Sequence, residues 1–200
     1  MYSFENLLPD TNDSIGVYIH VPFCKVRCSY CDFATDLERV GQREQFFRTL
    51  AIELEARLVT KGLVVDTIYI GGGTPSILTI DELRKLVTLL KRHFDLSQLR
   101  EFTIEANPGG VDSEILKRWS EIGVDRVSLG VQSFVEKELK VLGRAHLVEQ
   151  NHAALIALCD SGMRFNADLM IGTPGQSLVS IENNLQNLID YGVKHLSVYM

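Results

Sequence analysis

The sequence has no stretch approaching the roughly 20 apolar residues of a membrane span, and its opening, MYSFENLLPDTNDS, lacks the basic and apolar regions of a signal peptide. The cytosol is therefore the expected compartment. A basic surplus is also missing, since Lys and Arg number 20 against 26 Asp and Glu, for a formal net charge of -6. That balance supplies no field for non-specific binding to nucleic acid or to an anionic membrane. Cysteine is scarce, four in 200 residues, yet Cys24, Cys28 and Cys31 fall in one short segment. In a reducing compartment such a triplet argues for metal binding or catalysis rather than a disulfide framework. What is present is ordinary: 46% of the residues are hydrophobic, enough for one sizeable core in a single domain or in part of a larger protein.

From Val17 onward, short β-branched runs alternate with amphipathic helical patterns, which predicts repeated β-α units and a parallel sheet. VYIHV, TIYI, FTIE, RVSLGV, NADLMI and HLSVYM read as six strands joined by five helical segments. The first helix carries Phe47, Leu50, Leu54 and Leu58 on one face and is expected to stop near Gly62. The second opens on Thr79 with Glu82 three residues later, a capping box. A later stripe of Val148, His152, Leu155, Ile156 and Cys159 assigns Cys159 to the core as a small hydrophobe. Residues 1–16 read as an N-terminal extension and 17–200 as the folded domain. The last strand, SVYM, has no helix after it to cover a bare sheet edge, so a longer natural protein, cut after its sixth strand, is expected.

Pro22, Pro75, Pro108 and Pro174 each fall just after a strand, beside glycine-rich or polar residues. Those junctions are turns at the carboxyl ends of the strands, the edge where parallel barrels and open α/β sheets bind ligands. The segment CKVRCSYCDF leaves the first strand at this rim, so its three thiols can converge in one loop. A structural zinc site would need a fourth ligand from His20, Asp32 or the distant Cys159. An iron-sulfur cubane held by only three cysteines keeps one iron open to another ligand. The GGGTP turn, residues 71–75, reads either as a tight turn or, beside such a loop, as bare backbone that a ligand can approach closely. Asp168, flanked by apolar strand residues, is costly to bury without a partner.

The spacing C-x3-C-x2-C resembles the signature of radical S-adenosylmethionine (SAM) proteins. YIHVPFCKVRCSYCDF, IYIGGGTPS, EANPGGVD, LGVQSF, LGRAH and DLMIGTPGQ, in that order, resemble the oxygen-independent coproporphyrinogen III oxidase group and especially its HemW-like branch of heme chaperones. The resemblance runs from about Val17 to Met200 and implies an α/β fold, a partial (β/α)6 TIM-like barrel forming a radical SAM core domain. It implies a 4Fe-4S cluster on Cys24, Cys28 and Cys31, with SAM chelating the open iron. It also implies contacts from Tyr18, Gly72 and Glu105 to a first SAM, and a second SAM position lined by Gly73, Thr74, Gln132, Arg144 and Asp168. Tyr30 and Phe33 are expected to pack around the cluster and shield it, with Tyr30 in the cofactor-binding set. His20 enters the cluster loop from the first strand and faces either the site or the core.

The oxidases proper continue the triplet with another cysteine two residues after the last, where this sequence has Cys31-Asp32-Phe33. That departure is typical of the heme-chaperone branch. The branch implies heme as cargo, an unidentified heme-acceptor protein, a low-potential electron donor and no residue catalytic in porphyrinogen oxidation. It leaves room for a peripheral membrane association through partners and gives no role to nucleic acid. Heme binding in the branch needs a region beyond the barrel, so no heme-binding residue is assigned here. The alternative expectation is a coproporphyrinogen III dehydrogenase that converts two propionates to vinyls.

Overall fold

In strand β1 (Ile15–Val21), Val17, Ile19 and Val21 alternate with Gly16, Tyr18 and His20, so one face is apolar and the other polar. Two short strands, β2 (Phe23–Cys24) and β3 (Asp36–Leu37), pair in parallel and close the cysteine loop between them. Helix α1 (Gln42–Arg57) precedes β4 (Leu63–Gly72), and α2 (Ile80–His93) runs into the two-residue β5 (Phe94–Asp95). Then come β6 (Glu101–Ala106), α3 (Ser113–Glu121), β7 (Arg126–Gln132), α4 (Glu136–Val141) and α5 (Val148–Ser161). Strand β8 (Arg164–Met170), α6 (Leu178–Asp190) and β9 (Leu196–Tyr199) complete the order. The structure is a computed structural model that describes residues 14–57 and 62–200.

The main path of the sheet, β1-β4-β6-β7-β8-β9, is parallel throughout and follows the chain, with β5 beside β4. Six strands of this kind, with helices packed on one face, form a partial barrel of the TIM type. The registers Ile19↔Ile70, Ile70↔Ile104 and Ile104↔Val127 align the apolar residues of neighbouring strands on the helix-covered face. There they meet Leu83, Leu86 and Leu90 of α2, Leu116 and Trp119 of α3 and Leu155 and Leu158 of α5, all at 1% exposure or less. Each fully buried leucine stabilises the fold by about 2 kcal/mol. The opposite face carries Tyr69, Thr103, Glu105, Ser128, Asn166, Asp168 and Ser197, a polar surface turned towards the barrel interior.

Helix α2 begins as its sequence dictates: Thr79 accepts from the Glu82 amide, and the Glu82 carboxylate accepts from the Thr79 amide at 2.8 Å. Such a cap contributes about 1 kcal/mol. Phe47, Leu50 and Leu54 of α1 pack against the core as their spacing predicts, while Leu58 lies outside the described residues. Most of the N-terminal extension does as well, and β1 starts at Ile15, two residues before the expected boundary.

Two expectations need correction. The β7–β8 connection holds two helices rather than one, because the chain turns at Gly143 with φ of +69° between α4 and α5. Cys159 is exposed, its thiol donating to the Tyr191 carbonyl at 3.3 Å, rather than part of the core. The buried stripe of α5 is Asn151, Ala154, Leu155 and Leu158, displaced from the apolar pattern because its first member is a polar residue. Asn151 is satisfied there by donating to the carbonyls of Val131 and Ser133, at 3.3 and 2.8 Å. No helix among the described residues is long and apolar enough to cross a membrane.

Candidate cofactor site

Each strand leaves the sheet at its carboxyl end through a turn that its sequence requires. β4 runs into Gly73-Thr74-Pro75, β6 into Asn107-Pro108 and β8 into Gly172-Thr173-Pro174, where proline prevents the strand from continuing. Together with the cysteine loop these turns wall a cavity of about 490 Å³.

Backbone hydrogen bonds fold the cysteine loop back onto β2 and the residue before it: the Asp36 amide donates to the Pro22 carbonyl at 2.8 Å and the Glu38 amide to the Cys24 carbonyl at 3.0 Å. Ser29 pins the loop's far side, its amide donating to the Leu142 carbonyl at 3.1 Å and its hydroxyl to the Val141 carbonyl at 2.8 Å. A side chain at Gly143 would come within 3.1 Å of the Ser29 nitrogen, so this junction needs glycine twice over. Cys24, Cys28 and Cys31 all line the cavity. Burial pushes the Cys24 thiol up, and hydrogen bonds from Thr74 and Thr35 pull it back.

The donors around the loop suit thiolates. Thr74 Oγ1 lies 3.7 Å from Cys24 Sγ, and the Arg144 guanidinium donates to Cys28 Sγ at 3.6 Å. Three thiols spread round one cavity fit an iron-sulfur cubane, in which each cysteine binds a different iron. Among the described residues no three His, Cys, Asp or Glu side chains converge tightly enough to hold a single metal ion, the cysteine triplet included.

Gly72 has φ of +116°, and an added Cβ would stand 2.8 Å from the His20 ring. At Gly73 it would stand 2.6 Å from the Phe23 carbonyl oxygen and 3.0 Å from Cys24 Sγ. The turn's amides are already committed: Gly73 donates to Val21 at 2.8 Å, Thr74 to Phe23 at 2.8 Å and Gly72 to the Glu105 carboxylate at 2.9 Å. What this turn offers a ligand is close approach, not a set of free N–H groups. Glu105 also accepts from the Tyr69 hydroxyl at 2.8 Å; burial, joined by the Asp168 charge, outweighs the downward pull of these two bonds and leaves its carboxyl above the ordinary range.

Most of the sequence-selected residues meet here. Tyr30, Gly72, Gly73, Thr74, Glu105, Gln132, Arg144 and Asp168 line the same cavity as the cysteines, and so does Phe33, 64% exposed. Tyr30 shares the Arg144 guanidinium with Cys28, accepting at 3.3 Å. Gln132 has φ of +64°, a left-handed conformation that costs a side-chain residue about 1–2 kcal/mol, and its buried Oε1 has no partner among the described residues. Asp168 accepts from Ser128 and Asn166, and burial raises its carboxyl. Tyr18 stands apart from the cavity, 58% exposed, its ring stacked on Tyr69 with 6.0 Å between centroids. His20 faces the cysteine loop: its Nε2 donates to the Ala34 carbonyl at 2.8 Å, with Nδ1 3.1 Å from the Tyr18 hydroxyl.

Asn107, Tyr69 and Thr173 complete the site but were not singled out by sequence. Thr173 sits in a Gly-Thr-Pro that repeats the one at residues 73–75, each following a strand, and its buried Oγ1 also has no partner among the described residues. That repetition was the available signal. Nearby, burial and the Arg144 charge lower His146 to about 4, so its neutral ring donates from Nε2 to the Val131 carbonyl at 3.3 Å.

A family model described as Radical SAM superfamily matches residues 18–198. The sequence is 36% identical over 185 residues to a heme chaperone HemW of Lactococcus lactis, a match covering 92% of this chain and 48% of that protein. To the heme chaperone HemW of Escherichia coli it is 37% identical over 188 residues, covering 92% and 50%. The chain thus spans about half the length of these relatives. Among solved structures, coproporphyrinogen III oxidase (HemN) of E. coli superposes with a TM-score of 0.85 at 28% identity, over 92% of this chain and 43% of that one. The radical SAM methyltransferase TsrM of Kitasatospora setae shares the fold, with a TM-score of 0.61 at 14% identity.

Proposed function

Because the chain belongs to the Radical SAM superfamily, we propose that it is the cluster- and SAM-binding core of a heme chaperone of the HemW type, working in the cytoplasm. The observation that carries this reading is the meeting, in one cavity, of three thiols, the Gly72–Thr74 turn and the Glu105 carboxylate. Cys24, Cys28 and Cys31 would hold three irons of a 4Fe-4S cluster, and Gly72, Gly73 and Thr74 would let SAM approach the fourth. When bound and reduced, the cluster supplies the electron for reductive cleavage of SAM.

The chain's own residues hold this chemistry in place. Glu105 sets a carboxylate where a cationic sulfonium ligand would be neutralised, and Tyr69 and the Gly72 amide fix its orientation. Arg144, which donates to Cys28 Sγ at 3.6 Å, sets a positive charge beside the thiols that also favours the ionised form of Asp168. Tyr30 and Phe33 line the cavity beside the cysteine loop, where their aromatic surface would flank the cluster. Similarity to HemW proteins and the presence of Phe33, in place of a fourth cysteine, support heme handling over porphyrinogen oxidation. The partners that follow are heme, a heme-acceptor protein and a low-potential electron donor.

Anaerobic reconstitution tests the cofactor part: about four irons with matching sulfide are expected, and zinc without iron or sulfide would overturn it. The protein in its full natural length, loaded with the cluster and given coproporphyrinogen III, SAM and reductant, should release no protoporphyrinogen IX. It should instead retain added heme and pass it to an apo-acceptor. Formation of protoporphyrinogen IX would establish the oxidase reading in its place.

A further inference from the structure

Two of the three cysteine thiols are joined by an unbroken run of side-chain hydrogen bonds. Arg144 Nη1 donates to Cys28 Sγ at 3.6 Å, and its Nη2 donates to Asn107 Oδ1. Asn107 Nδ2 donates to Thr74 Oγ1 at 3.3 Å, and Thr74 Oγ1 in turn lies 3.7 Å from Cys24 Sγ. The direction of every bond follows from chemistry. Arginine can only donate, so the amide oxygen of Asn107 must face it and the amide nitrogen must face Thr74. Thr74 then accepts from Asn107, which leaves its one hydroxyl proton for Cys24.

Asn107 touches neither thiol, yet it bonds both donors, sharing Arg144 Nη2 with the Gly130 carbonyl at 3.1 Å. It is held at the end of β6, where its amide donates to Ser76 Oγ at 3.4 Å and its carbonyl accepts from Gly110 at 2.9 Å. Thr74, Asn107, Arg144 and Cys28 also line a second cavity of about 250 Å³, so the bridge is the partition between it and the main one.

We propose that Asn107 is a positioning residue that raises the reduction potential of the cluster by fixing Thr74 and Arg144 as donors to Cys24 and Cys28. This rests on the reading that these cysteines hold a cluster. One-electron reduction adds negative charge that is shared by the sulfur ligands, so hydrogen bonds and a guanidinium charge stabilise the reduced form more than the oxidised form. Breaking the bridge must therefore lower the potential.

The test is a dithionite-poised titration, followed by electron paramagnetic resonance, of the reconstituted chain without SAM. Asn107→Ala, Thr74→Val and the double variant are compared with the unchanged chain at equal iron and sulfide content. Asn107→Ala should cut the ratio of reduced to oxidised cluster about tenfold at a fixed poise, equivalent to about 59 mV for one electron. Because both variants interrupt one bridge, the double variant should fall short of the sum of the two single shifts. An unchanged potential in Asn107→Ala, or fully additive shifts, overturns the proposal. If Asn107→Ala assembles no cluster, Thr74→Val decides alone, and an unchanged potential there overturns it. Failure of the unchanged chain to assemble a cluster would instead overturn the cofactor reading.

Discussion

The Glu105 carboxylate receives the Gly72 amide at 2.9 Å on one oxygen and the Tyr69 hydroxyl at 2.8 Å on the other, which ties the end of β6 to the glycine turn after β4. A half-buried carboxylate with two neutral partners keeps its charge available to a cation. Glu105→Gln removes that charge and leaves one acceptor where two donors point. SAM binding to the cluster-loaded chain should weaken about tenfold, or about 1.4 kcal/mol, by equilibrium dialysis. An unchanged affinity would take Glu105 out of the SAM site.

Changing any one of Cys24, Cys28 or Cys31 to Ala should abolish the broad visible absorbance of the reconstituted cluster. Cys159→Ala should leave it intact, because Cys159 is exposed on α5 and bonds to Tyr191 instead of facing the cavity. Iron and sulfide analysis of the four variants checks this. Loss of the cluster in the Cys159 variant would contradict a three-cysteine ligand set.

The contrast between these cysteines shows what a linear pattern carries. The triplet, the glycine turn and the prolines at the strand ends are local signals, and each falls at the expected rim. The α2 cap was equally legible, since Thr79 and Glu82 are three residues apart and bond to each other's backbone and side chain. Cys159 was misread because Asn151 leads the buried stripe of α5, and a search for apolar spacing passes over a satisfied asparagine. Tyr69 and Asn107 were hidden for a different reason. Their roles depend on partners 36 and 37 residues away, Glu105 and Arg144, brought near by strand register and by the turn between α4 and α5.

Asp168 makes stability depend on pH in a defined direction. Burial lifts its carboxyl above the ordinary 3.8, against the pull of Ser197, Ser128 and Asn166. The folded chain therefore keeps this proton at pH values where the unfolded chain has released it. Stability is lost as pH rises from the ordinary value through the raised one, and the loss is complete above it. Asp168→Asn removes that loss and retains polar partners in Ser128 and Asn166. The cluster-free variant should melt about 2–4 °C above the unchanged chain at neutral pH, for about 1 kcal/mol. Scans below the ordinary Asp value should bring the two together, and a gap that persists there would assign the effect to packing.

Glu138 has the opposite sign and a structural task. It is 5% exposed and accepts from Ser133 at 2.5 Å, Gln176 at 2.9 Å and Asn184 at 3.3 Å, with Ser180 as a further donor. Gln176 meanwhile accepts from the Gly172 amide at 2.9 Å, so this one carboxylate links the exit of β7, the Gly172–Pro174 wall of the cavity and α6. Burial raises its carboxyl, but the four donors outweigh burial and hold it below the ordinary 4.5. Its contribution is complete above that value and is lost as pH falls through the depressed one. Glu138→Ala leaves several buried donors unpaired and should cost about 3 kcal/mol in urea unfolding at neutral pH. The difference should shrink in acid, because protonation takes the charge from the unchanged chain as well. A deficit that stays constant down to strongly acid pH would mean that Glu138 acts through its volume and not through its charge.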